Sequence, residues 1–196
     1  SAADEEGTLV DGEKLLYIFA REWQAHGKLP HGIAVGTAHT NTGAERALGE
    51  SGITLLRTDV GDKYVAACMQ KSGAAVGGEQ SGHLILSDLA ATGDGILASV
   101  VLAGLIAREK LSALADIRLL PQYNLNVRVK DKTRVLGNER VRGAIERAQG
   151  TAGLVRLVVR ASGTEPLVRV FAEAEHMRAA RAAAEQVRAA IAAQEE

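Results

Sequence analysis

The sequence is short of several things at once. It has a single cysteine, Cys68, in 196 residues, which excludes a disulfide framework within the chain and a cysteine-based zinc site. No apolar stretch approaches the roughly 20 residues that a membrane-spanning helix needs. The start, Ser1-Ala2-Ala3-Asp4-Glu5-Glu6-Gly7, lacks the basic-then-apolar pattern of a secretory signal. There is no excess of charge of either sign: 23 Lys and Arg stand against 24 Asp and Glu, a net charge of −1. That balance argues against a dedicated nucleic-acid surface or a polybasic membrane surface. Aromatics are scarce, at one tryptophan, three tyrosines and two phenylalanines. These absences predict a reducing, cytoplasmic setting, with no nucleic acid and no membrane as partner. The chain also begins without Met, at an acidic, turn-like segment, so a processed protein or a piece of a longer one is expected.

What is present is ample apolar content and much glycine. At 46% hydrophobic residues the chain can bury a core, and its length allows one domain or two small ones at about 100–200 residues each. The 21 glycines suggest tight loops where backbone approaches something closely. Apolar residues at Leu15, Leu16, Phe19 and Trp23 give one face of a helix, with Asp11 as cap and Gly27 as stop. Short strands are expected at 33–36, 53–56, 74–77 and 84–86. Helices fall between them at 42–50, opened by the capping-box spacing of Thr42 and Glu45, and at 62–72. A long apolar helix spans 93–108, with Thr92 or Asp94 near its cap. Such alternation predicts an α/β domain with a mixed, largely parallel sheet.

After Pro121 the pattern changes. Residues 123–129 alternate with period two, a helix is expected over 138–149, strands over 154–160 and 167–174, and an Ala-rich terminal helix over 176–193. This is a smaller α+β domain of order β-α-β-β-α. The expected organisation is a tail of a preceding domain over 1–11, an α/β domain over 12–120 and the α+β domain over 121–196.

Three glycine-containing segments could carry chemistry. In Gly77-Gly78-Glu79-Gln80-Ser81-Gly82-His83, Glu79, Ser81 and His83 share a face if the backbone is extended. A carboxylate and a hydroxyl suit vicinal sugar hydroxyls or an amine, and His83 can move protons near neutral pH. A solvated β-turn is the alternative reading. In Arg160-Ala161-Ser162-Gly163-Thr164-Glu165-Pro166-Leu167-Val168-Arg169, two arginines bracket hydroxyls and backbone N–H groups, the makings of a phosphate site without a Walker lysine. A hairpin turn with surface arginines is the alternative. Glu165 would repel an anion unless it points away or pairs with an arginine. In Val60-Gly61-Asp62-Lys63-Tyr64-Val65, Asp62 is expected to cap the helix it begins, and a functional Lys63 would have to face the 77–83 loop. Thr92-Gly93-Asp94-Gly95 has too few carboxylates for Mg²⁺. His39-Thr40-Asn41 follows a strand end but is explained by capping. His26, His31 and His176 show no ligand spacing, and Cys68 is expected to be a buried, inert thiol. No metal ligands are assigned.

At these motifs the chain resembles the α-D-phosphohexomutase superfamily. Gly78–His83 is similar to its sugar-binding loop and Arg160–Arg169 to its C-terminal phosphate-binding loop, with the smaller motifs in the expected order. Ser-Gly-Thr-Glu-Pro together with Gly-Asp-(basic)-Tyr resembles the bacterial phosphoglucosamine mutase branch. Members have four domains; this chain resembles domains three and four, without the nucleophilic serine motif of the first or the Asp-rich metal loop of the second. The resemblance implies interconversion of glucosamine 6-phosphate and glucosamine 1-phosphate through a phosphoserine and a bisphosphate intermediate, with Mg²⁺ in the full-length enzyme. It implies sugar contacts from Glu79, Ser81 and Lys63, phosphate contacts from Arg160, Ser162, Gly163, Thr164 and Arg169, and acid/base assistance from His83. The implied partners are the phosphosugar substrate and the missing N-terminal domains of the same protein; a homodimer is left open. Thr40 stands where the family often has Ser, and Lys63 where close relatives often have Arg. The alternatives are a phosphomannomutase or phosphoglucomutase preference, or a stand-alone phosphosugar-binding module. The isolated chain is expected to be inactive.

Overall fold

The computed structural model describes residues 1–194; the last two residues of the expected 121–196 domain lie outside the described residues. The chain divides into two compact units, Ser1–Leu119 and Leu120 onward.

The first unit opens with two short strands, β1 (Ala2–Ala3) and β2 (Leu9–Val10), paired antiparallel. The turn between them is held by Asp4, whose carboxylate accepts from the Glu6 and Thr8 amides. Asp11 then caps α1 (Gly12–Ala25), accepting from the Glu13 and Lys14 amides. The predicted apolar face of α1 is buried: Leu15, Leu16, Phe19 and Trp23 all lie in the core. Full burial of side chains such as Leu16 and Phe19 contributes about 1.5–3 kcal/mol each.

There follow β3 (Ile33–Thr37), α2 (Thr42–Glu50), β4 (Thr54–Thr58), α3 (Asp62–Ser72), β5 (Val76–Gly78), β6 (Leu84–Leu86), α4 (Gly95–Ile106) and α5 (Leu111–Leu114). The sheet order is β4-β3-β5-β6, with β3 parallel to β4 and β5, and β6 antiparallel to β5. The period-two alternation of strands sorts side chains to two cores. Ala34, Val76, Leu84 and Leu86 join α1 on one face, while Val35 and Ile85 meet Val65 and Met69 of α3 on the other.

In the second unit, β7 (Gln122–Arg128), α6 (Lys132–Gly137), α7 (Glu139–Gln149), β8 (Leu154–Ala161), β9 (Leu167–Ala174) and α8 (Met177–Ala192) follow in order. The three strands form an antiparallel sheet of order β7-β9-β8. Val168, Val170, Ala172 and Ala174 of β9 share a core with Val141 and Ala148 of α7 and with α8. Fully buried Ala180, Ala183 and Ala184 let α8 lie close to the sheet. The fold class is therefore the expected one, an α/β unit with a mixed sheet followed by an α+β unit.

Local details differ from expectation. The cap of α2 is Asn41, whose Oδ1 accepts from the Gly43 amide at 2.8 Å; this fits the capping expected of 39–41 and displaces the capping box expected to open at Thr42. The cap of α3 is Gly61, not Asp62, whose Oδ1 instead accepts from the Lys63 amide. The strands β1 and β2 and the short helices α5 and α6 lie outside the expected elements: two-residue strands and helices of four and six residues carry too little periodicity to announce themselves. Among the described residues, no helix is long and apolar enough to cross a membrane.

Candidate functional site

In the first unit the 77–83 segment closes the β5–β6 hairpin. It is not extended: the Gly82 amide donates to the Glu79 carbonyl and the Glu79 amide to the His83 carbonyl, both at 2.9 Å. Gly82 adopts φ +98°, a conformation that favours glycine, and the turn replaces the expected run of side chains along one strand face. The three polar side chains nonetheless converge. His83 Nδ1 lies 3.4 Å from Ser81 Oγ and 4.0 Å from Glu79 Oε2. The Glu79 side chain is only 11% exposed, while His83 is 65% exposed.

Two glycines position this turn. Gly61 donates its amide to Glu79 Oε1 at 2.9 Å, so a charge-assisted bond fixes the carboxylate. Gly12, at the start of α1, has the turn seated directly on its backbone. A Cβ there would lie 2.2 Å from the Glu79 carbonyl oxygen and 2.7 Å from both the Gln80 carbonyl oxygen and the Gly82 nitrogen. Lys63 goes elsewhere. Its ammonium lies over the Tyr64 ring, 4.8 Å from the centroid. The residue lines a hollow of about 740 Å³ with Met69, Gln70, Ile85 and Ser87, and this hollow includes none of Glu79, Ser81 and His83.

In the second unit, 162–166 is the turn between β8 and β9. Arg160 and Arg169 are direct partners in the antiparallel register, and both are exposed. Side chains directly opposite each other share a sheet face, so two cations stand at the mouth of the turn. Glu165 does not oppose an anion there: its Oε2 is paired with Arg169 Nη2 at 3.3 Å. Ser162 is buried, and its hydroxyl oxygen accepts from the Glu165 amide at 3.4 Å, leaving its proton to donate. Gly163 and Thr164 are exposed, and neither amide has a partner among the described residues. Two successive amides without a protein partner in a turn, beside two arginines, are donor types that can serve an anion.

The sequence reading missed three contributors. Gly12 carries no signal in the sequence beyond its place after Asp11, and Gly61 none beyond its place in the Val60–Val65 segment. Lys132 was passed over, yet its ammonium donates to the Ser162 carbonyl at 2.7 Å and to the Glu165 carbonyl at 3.2 Å. No local pattern flags a contact that spans 30 residues. Elsewhere the secondary readings hold locally. Asp94 caps α4. Thr40 Oγ1 accepts from the Thr37 amide at 2.9 Å, closing the turn after β3. Cys68 is half-buried rather than buried, because it borders α3's packed face instead of lying within it.

Among the described residues, no group of three or more His, Cys, Asp or Glu side chains is arranged to hold a metal ion.

An α/β unit with a mixed four-stranded sheet, followed by an α+β unit with an antiparallel three-stranded sheet, defines the class of fold. The chain belongs to the phosphoglucomutase/phosphomannomutase family: the family's alpha/beta/alpha domain III matches residues 11–123 and its C-terminal domain matches residues 125–190. Among curated relatives, it is 48% identical to the phosphoglucosamine mutase of Symbiobacterium thermophilum, over 90% of this chain and 40% of that protein. It is 44% identical to the phosphoglucosamine mutase of Bacillus subtilis, over 89% of this chain and 40% of that protein. The chain thus spans about two-fifths of the length of these relatives. Among solved structures, the N-acetylphosphoglucosamine mutase of Aspergillus fumigatus superposes with a TM-score of 0.77 at 21% identity, over 98% of this chain and 45% of that one. At that identity the likeness concerns the fold.

Proposed function

We propose that this chain is the sugar- and phosphate-recognising part of a phosphoglucosamine mutase, which interconverts glucosamine 6-phosphate and glucosamine 1-phosphate. The observation that carries the reading is the Arg160–Arg169 pair beside the free amides of Gly163 and Thr164. Residues 12–120 form the sugar-binding domain and 121–196 the phosphate-binding domain, with 1–11 continuing a preceding domain. In such a mutase a phosphoserine gives its phosphoryl group to the free hydroxyl of the sugar phosphate. The bisphosphate then reorients and returns its other phosphoryl group to the serine. The nucleophilic serine and the Mg²⁺ ligands belong to the rest of the protein.

The residues here do the holding. In either orientation the phosphate that is not reacting is gripped by Arg160, Arg169, the Ser162 and Thr164 hydroxyls and the Gly163 amide. Glu79, whose carboxylate is already oriented by Gly61, accepts from sugar hydroxyls, with Ser81 beside it. His83, within reach of both, takes or returns a proton at the sugar. Lys63 is the weakest member, since its ammonium rests on Tyr64; swinging toward the sugar would cost that contact. Such contacts lower the barrier by positioning the substrate rather than by bond-making.

A mutase assay on the isolated chain tests the division of labour. No turnover is expected, and clear turnover would overturn it. With the complete protein, glucosamine 6-phosphate should be preferred over glucose and mannose phosphates. A preference for the hydroxy sugars would move the assignment to another branch of the family.

A further inference from the structure

The carbonyls of the 162–166 turn are held by the 129–132 segment. Lys132 Nζ donates to the carbonyls of Ser162 and Glu165, and the Val129 amide donates to the Pro166 carbonyl at 3.0 Å. Three carbonyl oxygens, the negative ends of the turn's peptide dipoles, are thereby drawn toward the 129–132 segment. That segment is itself fixed. Asp131 caps α6, its Oδ1 accepting from the Thr133 and Arg134 amides, so the Lys132 stem starts from an ordered helical turn.

The geometry of the peptide unit gives this a consequence. In a trans peptide the C=O and the following N–H point in opposite directions, and no cis peptide bond occurs among the described residues. The Ser162 carbonyl and the Gly163 amide belong to one such unit. With the carbonyl on Lys132, the Gly163 N–H must point away from it. A cation on the carbonyl also polarises the unit and strengthens the N–H as a donor.

We propose that Lys132 is a positioning residue of the phosphate loop, setting the Ser162–Gly163 peptide plane so that the Gly163 amide faces the anion. The inference rests on reading 160–169 as the phosphate site. Lys132 acts through the loop: it turns the carbonyls out of the anion's field and leaves amides, hydroxyls and arginines facing it.

The test is an amide-resolved NMR titration of the full 196-residue chain with inorganic phosphate. In the unaltered chain the Gly163 and Thr164 amide signals should move as phosphate is added. Lys132→Met should weaken phosphate binding about tenfold, the scale of losing a charge-assisted bond, and abolish the Gly163 response while signals of the first unit stay in place. Lys132→Arg, which keeps cationic donors, should recover most of both; a merely structural lysine would not couple its charge to the Gly163 signal. If Lys132→Met binds phosphate within twofold of the original with the Gly163 response intact, the inference is overturned and the phosphate site stands. If the unaltered chain shows no response across 160–169, both fall together. Should the methionine variant unfold the second unit, Lys132→Gln is read in its place against the same outcomes.

Discussion

Arg160 on β8 and Arg169 on β9 stand directly opposite each other in the antiparallel register, so two like charges occupy one cross-strand pair. Glu165, paired with Arg169 at 3.3 Å, offsets part of the like-charge cost of such a pair, and an anion bound at the turn adds a further partner of opposite charge. Replacing either arginine by alanine should weaken phosphate-ester binding by about 1.5–3 kcal/mol. The same substitutions should change the stability of the ligand-free chain by no more than about 0.5 kcal/mol, as is usual at exposed sites. Calorimetry with a phosphate ester and urea denaturation of each variant separate the two effects. A large stability loss with unchanged binding would make the pair structural.

Gly12→Ala should disturb the 77–83 turn without touching it in sequence. The new Cβ would meet backbone atoms of Glu79, Gln80 and Gly82 at 2.2–2.7 Å, none of which can yield as a side-chain end could. A loss of about 1–3 kcal/mol is expected in urea denaturation, the range for overpacking. Gly49→Ala is the matched control. It lies in α2 with open space around it, and should stabilise by up to about 1 kcal/mol through helix propensity.

Arg156 and Glu173 form a different kind of pair. Glu173 is fully buried, receives Arg156 Nη2 at 3.2 Å and Gln122 Nε2 at 2.7 Å, and sits where Arg156 also covers the Phe171 ring. Removing one partner of a buried ion pair costs about 3–5 kcal/mol. Arg156→Ala should therefore lower the denaturation midpoint of the second unit far more than Arg160→Ala, measured side by side.

Glu5 reports on the start of the chain. The Ser112 hydroxyl donating to its carboxylate lowers its pKa, with the backbone amides of Glu5 and Ser112 and the charge of Lys110 helping. A depressed carboxylate pKa adds stability above the unfolded value of about 4.3. That contribution is lost as the pH falls through the lower folded value. In an NMR pH titration, Ser112→Ala should move the Glu5 midpoint upward. An unmoved midpoint would remove the hydroxyl as the cause.

Much of this was legible before any coordinates. The face of α1 at Leu15, Leu16, Phe19 and Trp23 follows from helical spacing, and β9 occupies the expected 167–174, because both patterns are local and strongly periodic. The two polar loops were legible as motifs through their resemblance to family loops, since glycine beside hydroxyls and charges is by itself the composition of ordinary turns. Their construction was not. Whether Glu79 or its neighbours would share a face depended on a turn set by one φ angle at Gly82. The supports, Gly12 beneath one loop and Lys132 behind the other, act across long sequence separations that no spacing rule reaches. Asn41 displaced Thr42 as a cap because two adjacent polar residues compete for one position, and backbone geometry decides between them.

Recognition of a sugar phosphate's phosphate by the turn between β8 and β9 is the core of the proposed function. Its most direct test is calorimetry of the 196-residue chain with glucosamine 6-phosphate and, separately, with glucosamine, repeated on the Arg160→Ala/Arg169→Ala double variant. Binding that requires the phosphate and disappears in the double variant is the predicted result. Equal binding of glucosamine, or undiminished binding by the double variant, would contradict it.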